Sequence, residues 1–115
     1  MKAILKSIST DDYSLSEFYP EDENLFSLQL LLRIGMEDSL GADNFDLRVC
    51  TPEWLCKHQW LPELMRHTLL VRKYDLDEIK KTITDYIDQC EGSDWMEIAQ
   101  KLSRAFAWEY EDYQP

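Results

Sequence analysis

Glycine and proline are scarce in this chain, at three and four of its 115 residues. That scarcity excludes collagen-like and low-complexity chains, and a 44% share of apolar side chains excludes a disordered one. The length suits a single domain, residues 1–115, able to bury about two-thirds of the surface its unfolded form exposes. Long hydrophobic runs are missing as well. The longest, "LQLLLRIGM" from Leu28, is interrupted by Gln29 and Arg33 and falls far short of the about 20 residues that cross a bilayer. The opening "MKAILKSIS" has only three apolar residues between Lys2 and Lys6, too few for the apolar segment of roughly 7 to 15 in a signal peptide, so a cytoplasmic protein is expected. Three cysteines cannot all pair with one another, and in the cytosol they are expected to remain thiols. Glycine-rich phosphate loops, Ser/His/Asp elbows and HExxH patterns are absent, and neither a cofactor nor a catalytic residue is expected.

Bases are few, 12 against 23 acids, for a net charge of −11. Residues 1–24 hold six acids and two bases, net −4, and residues 85–115 hold eight and two, net −6, whereas the sixty residues between sum to −1. Such a field repels nucleic acid and anionic membrane and speeds encounter with a basic partner. It also solvates the surface, so partner recognition and plain solubility are both compatible with it.

The pattern along the chain is β-β-β-α-β-α-α-β. Residues 2–9 read as a short strand, and "DDYSLSEFYPEDEN", residues 11–24, as a polar connection with Pro20 and Asn24 as breakers. Phe26, Leu28, Leu30, Leu32 and Ile34 alternate with Ser27, Gln29, Leu31 and Arg33, and beyond "GMEDSLGADN" so do Phe45, Leu47 and Val49 with Asp46 and Arg48. This period of two predicts a long antiparallel hairpin over 26–49. Thr51, Pro52 and Glu53 supply a capping oxygen, a proline at the first helical position and an acid at the positive end of a helix reaching about Gln59. "HTLLVRKY" from His67 suggests a fourth strand. Asp75 and Glu78 have capping-box spacing, Leu76, Ile79, Ile83, Tyr86, Ile87 and Cys90 follow at helical spacing, and Gly92 closes that helix. A last helix from Ser93 or Asp94 is expected to bury Trp95, Ile98, Ala99, Leu102 and Phe106, and "AWEYEDY" to end the chain as an edge strand with a charged face. The fold class that packs these elements is α+β, a mostly antiparallel sheet with helices on one face.

"CTPEWLCKH", Cys50 to His58, gathers two thiols and an imidazole. Cys50 and Cys56 straddle a strand-to-helix junction, Cys56 and His58 point about 200° apart on a helix, and Cys90 completes an apolar stripe, so the spacing of a structural zinc site is missing. A cysteine nucleophile needs a base within hydrogen-bond reach. Cys50, near a helix start, is the best placed, but neither histidine is tied to it by any motif.

"MKAILKSIS", "FDLRVCTPEWL", "VRKYDLDEI" and "CEGSDWMEIAQKLSRAFAWEYEDY" together resemble the immunity protein 8 family of bacterial polymorphic toxin systems. The resemblance runs from Met1 to Tyr113 and is most specific over Arg48–Leu55 and Cys90–Tyr113. It implies a small cytosolic protein without enzymatic activity that binds and neutralises a cognate toxin domain. The charge adds that this toxin is basic, and a nuclease fits, because its substrate demands a basic cleft. Rival readings are a small enzyme using Cys50 with a histidine, and an acidic adaptor unrelated to toxins. For the partner-binding surface the candidates are Trp108, Glu109, Tyr110, Glu111, Asp112 and Tyr113, where aromatics and acids share one stretch, and then Asp11, Asp12, Glu21, Asp22 and Glu23. Trp108 and Tyr110 equally suit core positions at the end of the sheet.

Overall fold

A computed structural model describes residues 1–11 and 13–111. The elements are β1 (Ala3–Thr10), β2 (Ser27–Met36), β3 (Asp43–Cys50), α1 (Pro52–His58), β4 (Thr68–Leu70), α2 (Leu76–Gln89), α3 (Trp95–Leu102) and β5 (Ala107–Trp108). Their order is the one the sequence pattern predicts. The sheet runs β1-β2-β3-β4, with β5 also paired to β3.

Strict alternation builds the centre. β2 and β3 pair antiparallel with Leu28 opposite Val49, Leu30 opposite Leu47 and Leu32 opposite Phe45, all buried on one face. β1 joins β2 through a register shift between Leu5 and Ser7. The shift has a sequence cause: Leu5 and Ile8 lie three apart, and only one extra residue, Lys6, lets both face the core opposite Ile34 and Leu32. The displaced Lys6 turns its ammonium to the carbonyls of Ser39 and Gly41 in the β2–β3 turn.

Over the apolar face lie α2 and α3. Ile79, Ile83 and Ile87, spaced four apart, are buried with Ile98, Ala99 and Leu102 against the β2 and β3 residues, each large side chain contributing about 1.5–3 kcal/mol. α1 buries none of its residues. It serves as the crossover between β3 and β4, which are parallel, so the sheet is mixed.

Three local outcomes differ from the sequence pattern. The fourth strand is three residues long: His67 takes a left-handed backbone (φ 55°) immediately before it, and beyond Leu70 the chain leaves the sheet after the Val71 N–H bonds Cys50 O. α2 closes on an extended Cys90, whose N–H bonds Ile87 O, and Gly92 is not left-handed; glycine suits that position because a Cβ would lie 3.0 Å from the Glu97 side chain. Phe106 is buried but lies past α3, which ends at Leu102, and Trp95 is half-buried.

Candidate functional site

The C-terminal stretch is tied inward. Trp108 stacks on Phe45 (centroids 6.4 Å, 14°) and donates its indole N–H to Asp43 Oδ2 at 2.9 Å, the oxygen that also accepts from Trp95 Nε1 at 2.8 Å. Glu109 is exposed but extends the β5 ladder, donating its N–H to Asn44 O at 3.0 Å and accepting the Asn44 N–H on Oε1 at 2.8 Å. Glu111 accepts from Arg66 Nη2 at 2.8 Å and lies 4.0 Å from His67 Nε2, which itself meets Ser103 O at 3.0 Å. Tyr110 is exposed and packs edge-on against Trp108. Asp112 and Tyr113 lie outside the described residues. The carboxylates described here therefore have internal partners, and reversing their charge would disturb the attachment of β5.

The β1–β2 connection is different. Its shape is set by Leu15, which is buried, and by an aromatic cluster in which Tyr74 receives Phe18, Tyr19 and Phe26 edge-on at 5.3–5.4 Å, with Tyr13 leaning on Phe18. The Tyr74 N–H donates to Glu23 O at 2.7 Å and fastens the connection to the segment before α2. Asp11, Glu21 and Asp22 stand exposed and Glu23 half-exposed; Asp12 is outside the described residues. Among the described residues no ion pair within 4.0 Å involves any of these acids. Asp22 Oδ1 accepts the Asn24 N–H and Glu23 Oε2 the Tyr19 hydroxyl at 3.1 Å. That hydrogen bond, reinforced by the Glu23 charge, slight burial and the more distant Asp75, pushes the Tyr19 phenol above its usual range. Asp75 and Asp77 of the α2 start join Glu23 around one open cleft of about 420 Å³, with Lys73 as its single base.

The α1–β4 loop forms a third surface, one that no periodicity announced. Trp60, Leu61 and Leu64 are 83%, 74% and 99% exposed, although polar contacts are made within their loop and from it to β3. Gln59 Nε2 donates to Leu61 O at 2.8 Å, Glu63 lies 3.9 Å from Arg48, and Arg48 rests over the Trp54 ring. The available signal was an indole and three aliphatics in "WLPELM" at neither helical nor strand spacing.

The thiols do not converge. Cys50 and Cys90 are buried and Cys56 is exposed, and burial pushes the Cys50 thiol up, only partly offset by Arg48. The His58 ring stacks on Trp54, and His67 is engaged with Ser103. Among the described residues no three His, Cys, Asp or Glu side chains are arranged to hold a metal. None of the described helices is long and apolar enough to cross a membrane.

The family model described as Immunity protein 8 covers residues 3–113. Nothing among curated proteins or solved structures matches the chain.

Proposed function

We propose, from the premise that this chain belongs to the immunity protein 8 family, that it binds and neutralises a basic cognate toxin in the cytoplasm, without catalysis, through the acidic edge built by the β1–β2 connection. The observation that carries this reading is the contrast between the two acidic regions. Glu109 and Glu111 are bonded to Asn44 and Arg66, while Asp11, Glu21 and Asp22 face solvent without a cationic partner among the described residues. Unneutralised carboxylates project a field that steers a basic partner and, against a nuclease, stand in for phosphate. A nuclease is accordingly the toxin class that fits, and the same field disfavours nucleic acid or an anionic membrane as the direct partner.

A second reading puts the energetic centre of the contact on the α1–β4 loop, favoured by the full exposure of Leu64 beside Trp60. Large solvated apolar side chains are the residues that carry binding energy once covered.

Stopped-flow association with the cognate toxin domain, inactivated in its active site, separates the readings. Glu21→Lys/Asp22→Lys is expected to slow association at least tenfold at low salt and to flatten its salt dependence, since exposed charges are screened beyond about 10 Å at 0.1 M. If that variant associates at the wild-type rate while Trp60→Ala raises the dissociation rate, the contact belongs to the loop.

A further inference from the structure

Gln29, Asp46, Arg48 and Thr68 point away from α2 and α3, since each alternates with core-facing neighbours and Arg48 lies opposite both Gln29 and Thr68. On this face the α1–β4 loop walls a recess of about 410 Å³, where Asp46 and Glu63 stand against Arg48 and Arg66 beside Leu64 and Met65. Its charges balance. The cleft at Tyr74, by contrast, holds three acids to one base, and the two clefts share no residue.

The recess has the chemistry of an indole receptor. The Arg66 side chain is 63% exposed, and its hydrogen bond to Glu111 uses an edge of the guanidinium, which leaves the plane free to stack on a ring. The Asp46 carboxylate has no hydrogen bond or ion pair among the described residues and can accept an indole N–H. Met65 adds a thioether, which packs well at an aromatic edge. The same loop carries an indole. Of the four tryptophans, Trp54, Trp95 and Trp108 are half-buried and engaged with Arg48, His58 or Asp43, and Trp60 alone is exposed. A knob and a matching hole on one surface are what a two-fold contact needs, because each copy then fills the other.

We infer that the α1–β4 loop is a self-association surface on which two copies exchange Trp60, each ring lying on the other copy's Arg66 with its N–H on Asp46. A second copy fits this surface better than the toxin does. A basic partner is drawn to net acid, and here two guanidinium groups offset both carboxylates. Copies at −11 repel one another, and a patch without net charge is where that repulsion is least. The area agrees: an exposed indole of about 200 Å² and two leucines make a patch of a few hundred Å², enough for a weak dimer burying less than about 1,200 Å² in total. The inference goes beyond toxin binding and does not depend on the acidic edge, which stays with the toxin.

Sedimentation velocity on the full chain, over a range of concentrations at low and high salt, reads the association directly. Wild type is expected to pass from monomer to dimer in the micromolar range, and more tightly in high salt, which screens the repulsion between two acidic copies. Salt acts on toxin association in the opposite sense. Trp60→Ala removes the knob and Gln29→Tyr fills the recess from its floor; both positions are exposed, so both variants keep the fold. Each alone should weaken the dimer by about thirtyfold or more, the scale of an interface hot spot. Mixing the two should partly restore association, because the recess of the first variant still accepts the indole of the second. A wild type that stays monomeric at every concentration and salt, a dimer indifferent to Trp60→Ala, or a mixture no more associated than its parts would overturn the inference. Trp60→Ala that speeds toxin dissociation while sedimenting like wild type would overturn it too, and would give the loop to the toxin. The acidic-edge reading stands or falls separately, on whether Glu21→Lys/Asp22→Lys slows toxin association.

Discussion

Asp43 is the residue whose loss should tell most about the C-terminal stretch. One of its carboxylate oxygens accepts both the Trp95 and the Trp108 indole N–H, at 2.8 and 2.9 Å, so a single side chain at the start of β3 ties α3 and β5 to the sheet. Asp43→Ala leaves two donors without an acceptor. A fully buried orphan costs about 1–3 kcal/mol, and both indoles are half-buried, so the lower end applies to each and the total is about 2 kcal/mol. With an unfolding entropy of about 2.1 cal/mol/K per residue, a chain of this length loses about 8 °C in melting temperature. Asp43→Asn keeps a carbonyl acceptor but loses the charge, and about half that loss is expected. Circular dichroism melts of Asp43→Ala, Trp108→Phe and the double variant form a cycle, with a coupling of about 1 kcal/mol expected between the two sites. Toxin affinity measured well below the melting temperature should not move, because the pair acts on attachment of β5. An Asp43→Ala variant melting within about 2 °C of wild type, or zero coupling with Trp108→Phe, would refute the reasoning and return Trp108 to the candidates for direct contact.

Further outcomes follow from burial, close approach and charge. Ellman titration of the native protein should detect one fast thiol, Cys56, with Cys50 and Cys90 reacting only after unfolding, because burial removes access and disfavours their thiolates; three fast thiols would contradict it. Gly35→Ala should cost about 1–3 kcal/mol in urea denaturation, since its Cβ would come 2.2 Å from Gly41 O and push the β2–β3 turn off the strand; a neutral result would mean that the turn yields freely. Glu97 is held below the usual glutamate range by the N–H and hydroxyl of Ser93. A lowered folded pKa gives stability that is present above the unfolded value of about 4.3 and lost as pH falls below it. Wild type should therefore exceed Glu97→Gln in stability at pH 6, with the gap narrowing as pH falls below the unfolded value.

How far the sequence could be read depends on how local each cause is. β2, β3 and the start of α2 were legible because alternating side chains and the Asp75–Glu78 spacing act within a few residues. The parallel pairing of β4 was not, since it depends on the α1 crossover bringing Thr68 beside Arg48, and its short length goes with a pairing that ends where Leu70 meets Cys50, the last residue of β3. At the site, exposure of Glu21 and Asp22 follows from a polar run rich in breakers, whereas the engagement of Glu109 and Glu111 requires Asn44 and Arg66, 65 and 45 residues away in sequence. Tyr74 looked like any strand-end aromatic. Only packing against Phe18, Tyr19 and Phe26 strips its oxygen of water.

The bulge at Lys6 has a consequence for how the molecules behave in a crowd. β1 ends the sheet, and among the described residues nothing pairs with its outer edge. Eight residues of unpaired backbone would ordinarily invite another molecule to add a strand and seed aggregation. Here the extra residue breaks the straight line such a strand would follow, while the Lys6 ammonium is turned the other way, onto the β2–β3 turn. The open edge is thus guarded by shape, through the bulge that disfavours a second strand docking along β1.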